Sequence, residues 1–434
     1  VRVVDYQAVA GAIARGRERR NVQAGDRCGL VAPQGADYIL WGLEIMASGG
    51  CLFPISSRVT GATLESLVRR VKLHHVVRDG VWETIKDPGD VDGQGDAAFR
   101  ALDPAYIRFT SGTTHTNKGV ILGHRAVVDR IHAANRGLGI GPGDRILWLL
   151  PMAHHWVVSI LLYMSQGATV LVPRGDASAA LALAEARRAT VMYAGPQDYA
   201  LLAEAADKPL AVLPRLAVST ASGLTPSLAA RVRERLGLSL VQALGMIEVG
   251  LPAMNRLNPE SKPLSVGRPF PDYRIWLRDE QGGLVCGTGP GHTGEIMIEG
   301  PGFYGAYMDP WRPAEAGAFA TGDQGYFDGE GELFLVGRRK NRIISGGMKF
   351  FCEEVEQAVE FHPRVAACRV LPRPDAILGE VPVVEVELRR GAGALSAAEL
   401  AAFLQGSLPP HMIPVEVLGV GTIPRTATGK IQRW

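Results

Sequence analysis

The densest chemistry in the chain lies in Phe109-Thr110-Ser111-Gly112-Thr113-Thr114-His115-Thr116-Asn117-Lys118-Gly119-Val120. Hydroxyls and small residues run into a lysine, between a strand-like apolar run and what reads as a helix. Such a stretch suits phosphate: backbone N–H groups and Ser/Thr hydroxyls donate to phosphate oxygens, glycine allows close approach, and lysine adds a point charge. It is not a Walker loop, which would place a hydroxyl residue directly after the lysine, where Gly119 stands. Taken alone, the stretch has a second reading, a polar surface loop.

The elements that would position this loop read as α/β layers. Apolar runs alternate with helical patterns through the first 340 residues or so, predicting largely parallel sheets. Strands are expected at Leu147–Leu150, Ala168–Val172, Val191–Tyr193, Leu216–Ser219 and Leu240–Ala243. Helices are expected at Val157–Met164, Ala179–Arg188, Gln197–Ala206 and Pro226–Leu236, the last capped by Thr225. From about 263 to 335 glycine and proline become dense and short runs such as Arg274–Leu277 and Glu295–Glu299 alternate, which predicts antiparallel β structure. After the basic run Arg338-Arg339-Lys340-Asn341-Arg342, a small α+β unit is expected, with helices at Glu353–Phe361 and Ala397–Leu404 and strands at Val365–Leu371 and Val383–Leu388.

Composition narrows the class. A chain of 434 residues, 47% hydrophobic with a formal net charge of +2, is a multi-domain globular protein with no charge argument for nucleic acid or anionic membrane. Cys28, Cys51, Cys286, Cys352 and Cys368 are scattered without Cys-x-x-Cys spacing, arguing against a zinc site or a disulfide framework. No secretory leader or membrane span is legible, and the expected setting is cytoplasmic. Neither Gly-x-Ser-x-Gly nor His-Glu-x-x-His occurs, which disfavours hydrolases.

The loop resembles the signature of the adenylate-forming superfamily, which includes acyl- and aryl-CoA synthetases, peptide-synthetase adenylation domains and luciferases. Further matches follow in the family's order: Leu244-Gly245-Met246-Ile247-Glu248, Thr321-Gly322-Asp323, Gly337-Arg338-Arg339-Lys340, and Pro424-Arg425-Thr426-Ala427-Thr428-Gly429-Lys430. The resemblance implies a large N-terminal domain, 1–339, with a β-rich subdomain, and a mobile C-terminal domain, 340–434, pivoting at Lys340. It implies an ATP-dependent ligase that adenylates an acid and passes the acyl group to a thiol, of CoA or of a carrier protein's phosphopantetheine. Thr110, Ser111, Gly112, Thr113, Thr114 and Lys118 would hold phosphates, with Thr114 also catalytic. Glu248 would hold Mg²⁺, and Lys430 would act on the carboxylate and α-phosphate. Asp323 and Arg338 would bind ribose; Ala221, Ser222, Gly223, Leu244 and Gly245 would bind adenine. Ser345-Gly346-Gly347 would line a thiol tunnel, although a tight β-turn explains these glycines equally well.

Pro151-Met152-Ala153-His154-His155-Trp156 resembles the family segment that opens the acid pocket. No aspartate accompanies His154 to pair with an α-ammonium, so an uncharged aryl or alkyl acid is expected. Trp156, Leu224, Met246, Val249 and Leu251 are candidate pocket walls beside His154 and His155. Three features depart from the family pattern: His115 and Asn117 in the loop, Ile247 in place of threonine, and Leu244 in place of an adenine-stacking tyrosine. They keep open an impaired nucleotide- or acyl-binding homologue, and an enzyme that passes the acyl group to an amine or hydroxyl is a further alternative.

Overall fold

A computed structural model describes residues 4–18, 22–109, 118–426 and 430–433. The chain divides into two compact units. The first comprises Val1–Tyr193, Gly245–Pro252 and Gly300–Gly317; the second comprises Ala194–Leu244, Ala253–Glu299 and Ala318–Trp434.

The first unit is built on a sheet ordered Trp311–Pro313, Ala306–Met308, Gly119–Gly123, Pro104–Phe109, Cys51–Ser56, Arg27–Ala32, His75–Arg78, Val81–Thr84. Its middle is parallel, and Arg27–Ala32 and Cys51–Ser56 are apolar enough to be covered on both faces. The sheet turns antiparallel where Pro104–Phe109 pairs with Gly119–Gly123. This corrects the sequence expectation of a strand-to-helix loop in a parallel sheet: residues 110–117 connect two antiparallel strands. The following helix, His124–Leu138, begins only after the second strand. Gly119–Gly123 is short and apolar, and its strand character comes from partners distant in sequence.

Arg145–Trp148 pairs in parallel with Thr169–Leu171 and with Val191–Ala194. The segment expected as one helix from Val157 is divided. Met152–His155 is α-helical, Trp156–Ile160 makes a π turn, and Leu161–Ser165 returns to α. Such π turns recur at functional sites.

In the second unit, Leu216–Ser219 runs parallel to Leu240–Met246. The Gly/Pro-dense region is antiparallel, ordered Arg274–Arg278, Gly294–Glu299, Phe319–Phe327, Leu333–Arg338, Ser265–Pro269. Gly267 is required here: at φ +76° a Cβ would lie 2.1 Å from the Met254 carbonyl oxygen. Beyond Arg342 lies a separate sheet, ordered Met348–Phe351, Arg342–Ser345, Gly379–Leu388, Val365–Asp375, with Glu416–Val420 also joined to Gly379–Leu388. Val355, Val359, Leu400 and Leu404, from helices Cys352–Val359 and Ala397–Leu404, pack with Val370 and Val384 of that sheet.

Local capping explains several boundaries. Thr225 accepts from the Leu228 N–H at 3.3 Å, Pro226 opens the helix, and Gly237 closes it at φ +74°. Ser396 and Glu399 form a reciprocal capping box on Ala397–Leu404. Among the described residues no helix is long and apolar enough to cross a membrane.

One buried ion pair in the first unit braces the approach to the loop. Arg27 is fully buried against Asp96 and donates to the carbonyls of Lys72 and Gly89, each at 2.8 Å. Asp96 also accepts from the Val91 N–H at 2.7 Å, fixing the segment that leads into Pro104–Phe109. Asp96→Asn leaves a buried cation without its counter-charge and is expected to cost about 3–5 kcal/mol. Urea denaturation of the first unit's signal measures it. Arg125→Ala, which removes the exposed pair with Asp129, is the control and should cost less than about 1 kcal/mol.

Candidate active site

In the first unit, the turn carrying Glu248 lies between Leu240–Met246 and Gly250–Met254. Two interactions hold it. The buried Arg130, on helix His124–Leu138, donates to the Ile247 carbonyl at 2.9 Å and to the Gly302 carbonyl at 3.0 Å. The Glu248 carbonyl accepts from the Tyr304 N–H at 2.9 Å. Ile247, where the family has threonine, is buried, so its side chain belongs to the packing of this turn.

Tyr307 is the residue the sequence reading missed. It sits opposite Val120 in the sheet, next to the end of the loop. Its hydroxyl donates to Glu248 Oε1 at 3.4 Å. Lys118 Nζ lies 4.8 Å from the centre of its ring and the Arg312 guanidinium 5.0 Å. Tyr304 packs beside it with ring centres 4.7 Å apart. Burial, with the Glu248 carboxylate nearby, pushes the Tyr307 hydroxyl up, so it stays a neutral donor. One aromatic ring thus joins the candidate metal carboxylate to the loop lysine. Its only sequence signal was a pair of tyrosines, Tyr304 and Tyr307, in a glycine-rich run.

Thr110, Ser111, Gly112, Thr113 and Thr114 lie outside the described residues. On the acid side, His154 lies in the short helix Met152–His155, whose first N–H donates to Gln34 Oε1 at 2.7 Å. Burial, reinforced by the Arg108 charge, lowers His154 to about 4, so its imidazole is neutral near pH 7. Arg108, a second residue the sequence reading passed over, donates from Nη1 to the His154 carbonyl. His155 lies edge-on to Trp148 at 6.3 Å between ring centres. Trp156 is fully buried and packs tightly on Gly42, where an added Cβ would meet its ring at 2.8 Å. That contact makes Trp156 part of the core. Val249 and Leu251 are buried and Met246 is half-buried in the same unit.

In the second unit, Asp323 and Arg338 face each other across paired strands and form an ion pair at 2.8 Å. The Asp323 N–H donates to Thr321 Oγ1 at 3.0 Å. Ala221 holds φ +75°, uncommon for a residue with a Cβ, on the turn that includes Ser222 and Gly223. Leu224 is buried there and its N–H donates to Gln242 Oε1 at 2.7 Å. Leu244 is buried in its strand, and Gly245, which belongs to the first unit, is exposed.

Lys340 is exposed in the 3₁₀ turn Arg339–Asn341, between the antiparallel region and the last sheet. Gly346 and Gly347, at φ +57° and +81°, connect Ser345 to its strand partner Met348. The two glycines make a tight hairpin turn. Near the C-terminus the Lys430 N–H donates to Thr426 Oγ1 at 3.1 Å and the Thr426 N–H to the Lys430 carbonyl at 2.8 Å. Arg433 fastens this segment to helix Cys352–Val359 through Glu356, at 2.5 Å, and Glu353, at 3.5 Å.

Comparison with known proteins gives the family. The AMP-binding enzyme family matches residues 5–308, and the AMP-binding enzyme C-terminal domain matches residues 354–430. An indoleacetate–CoA ligase of Aromatoleum aromaticum is 32% identical over 341 residues, covering 76% of this chain and 66% of that protein. The o-succinylbenzoate CoA synthetase MenE of Bacillus subtilis, solved with its acyl-adenylate intermediate, superposes with a TM-score of 0.84 at 25% identity, covering 100% of this chain and 93% of that one. The amide bond synthetase McbA of Marinactinospora thermotolerans superposes with a TM-score of 0.79 at 25% identity, covering 98% and 90%. The chain belongs to the AMP-binding enzyme family and is an adenylate-forming enzyme of the acyl- and aryl-CoA synthetase class.

The Tyr307 ring makes a prediction about nucleotide binding. Tyr307→Ala removes the platform shared by Lys118 and Arg312 and should raise the KM for Mg·ATP about 10-fold. Tyr307→Phe keeps the ring and loses only a long hydrogen bond, so it should change that KM less than about threefold. Steady-state kinetics of both variants decide between ring and hydroxyl.

Proposed function

We propose that the protein condenses an aryl or alkyl carboxylic acid, uncharged apart from its carboxylate, with the α-phosphate of ATP and transfers the acyl group to a thiol. In the first half, a carboxylate oxygen bonds to the α-phosphorus, the bond to the bridging oxygen breaks, and pyrophosphate leaves. In the second, the thiol sulfur bonds to the acyl carbon, the thiol proton is lost, and AMP leaves. The observation that carries this reading is the joining of Glu248 and Lys118 at Tyr307, a carboxylate and a cation fixed together beside the loop.

Each half needs charge control. Residues Thr110 to Lys118 would hold the β- and γ-phosphates. Glu248 would hold Mg²⁺, which supplies charge neutralisation when bound. A lone carboxylate suits that ion, since Mg²⁺ keeps waters and shares phosphate oxygens. Among the described residues no cluster of three or more His, Cys, Asp or Glu would hold a metal by itself. Asp323, oriented by Arg338, would take ribose hydroxyls, and the strained Ala221 turn with Leu244 and Gly245 would bed the adenine. Lys430 would meet the charge that develops at the α-phosphate. Lys340 would be the pivot that exchanges Lys430 for the thiol site, where the Gly346-Gly347 turn offers a ribbon without side chains to a pantetheine arm. CoA and carrier-protein phosphopantetheine present the same thiol chemistry to this site. A second reading, transfer to an amine, is favoured by the likeness to an amide bond synthetase.

The test is ATP–pyrophosphate exchange across a panel of aryl and aliphatic acids, followed by product analysis with CoA, with a phosphopantetheinyl carrier and with an amine. Exchange with at least one acid and a thioester product are expected. ATP binding without exchange would leave only a binding protein, and an amide product would select the second reading.

Lys430→Ala is expected to slow adenylation by about 10²–10³-fold, the scale for one preorganised charge contact. Thioester formation from supplied acyl-adenylate should stay near normal. Equal losses in both half-reactions, measured in single turnovers, would contradict a lysine that serves only the first.

A further inference from the structure

Arg108 lies in the apolar strand Pro104–Phe109 of the first unit, two residues before the loop. Its Nη1 is engaged by the His154 carbonyl, but its Nε is buried and has no hydrogen-bond partner among the described residues. Tyr106, two residues back and therefore on the same face of the strand, has a buried hydroxyl with no hydrogen-bond partner among the described residues. The buried Tyr38 hydroxyl and His154 Nδ1 also have none. These groups lie near one another in electrostatic reach. Tyr38 feels Tyr106, Tyr106 feels Arg108, and Arg108 feels Glu248, while His154 feels Arg108.

Buried polar atoms are nearly always hydrogen-bonded, because leaving one unpaired forfeits its hydration without return. A run of them around one guanidinium is a site built for something rich in acceptor oxygens. Arginine and tyrosine are donors at neutral pH, and the neutral imidazole can donate from Nδ1 in one tautomer. Burial disfavours the Arg108 charge, yet arginine stays protonated in proteins, so the site is cationic. Glu248 is near enough to influence it, but no ion pair closes between them.

We propose that Arg108, flanked by Tyr106 and His154, is the cation that binds a carboxylate of the acid substrate. This rests on the acid-activating function proposed above and gives it a recognition residue. Apolar residues of the same unit would meet the carbon frame, while the anionic end meets the guanidinium fork, whose planar donors match a carboxylate. That carboxylate is the reacting one, the only charge on the acid proposed above.

The experiment is acid-dependent pyrophosphate exchange by wild type, Arg108→Gln and Arg108→Lys, using benzoate, indole-3-acetate and o-succinylbenzoate. Benzoate and indole-3-acetate carry one carboxylate, o-succinylbenzoate two. Arg108→Gln should raise the KM for the acid by about 30-fold or more, the scale for truncating one partner of a buried charge pair. The KM for Mg·ATP should move less than about threefold. Arg108→Lys, which keeps the charge but not the fork, should recover part of the loss. A similar loss with all three acids is expected, and a loss confined to o-succinylbenzoate would report its second carboxylate and overturn the proposal. An unchanged KM for the acids, or equal rises for acid and ATP, overturns the proposal. If Arg108→Gln does not fold, the same split read on Arg108→Lys decides, with a smaller shift. Wild type that exchanges with none of these acids points instead to failure of the proposed function.

Discussion

Two anions must meet. A carboxylate approaching the α-phosphate of ATP is repelled at every step, and the protein must place positive charge at that meeting point without losing it to water or to its own acids. Buried cations are expensive unless their donors are satisfied, so the structure stands or falls on how its arginines and lysines are anchored. In the first unit, Arg130 is committed to backbone carbonyls on either side of the Glu248 turn, and Arg27 to Asp96 and two further carbonyls. These are structural cations, fully used. Lys118 lies over the Tyr307 ring, a cation–π contact rather than a commitment to backbone carbonyls alone.

The same device recurs in the second unit. Arg433 is held between Glu356 and Glu353, three residues beyond Lys430. Burial pushes the Glu356 carboxyl up to about 8, against the opposing pull of the Arg433 charge. The C-terminal segment is thereby fastened to a helix that packs on the last sheet. Asp323 and Arg338 show a different use of a pair. Their strands set them opposite each other, and the arginine fixes one carboxylate oxygen.

What the sequence disclosed was what is decided locally. Thr225, Pro226 and Gly237 bound a helix by capping alone, and its limits follow from those residues. Ser396 and Glu399 do the same for Ala397–Leu404. The dense glycine and proline of the antiparallel region were readable for the same reason. Residues Gly119–Gly123 were misread as the approach to a helix because their strand identity depends on Phe109 and Tyr307, the latter far off in the chain. The candidate site divides along the same line. Motif residues such as Glu248, Asp323, Arg338 and Lys430 were named from their order. Tyr307 and Arg108 were not, because what marks them is spatial: a ring placed against two cations, and a guanidinium with a buried, unanswered N–H. A lone arginine inside an apolar strand was a signal available to inspection, since such a residue must find a partner or wait for one.

The central claim is that an acid oxygen is joined to the α-phosphorus of ATP. The most direct measurement follows that oxygen. An acid labelled with ¹⁸O in its carboxylate is turned over with ATP and a thiol, and the products are separated by mass spectrometry. The account predicts one labelled oxygen in AMP and none in pyrophosphate or phosphate. Label appearing in inorganic phosphate, with unlabelled ADP or AMP, would mean attack at a different phosphorus and would contradict it.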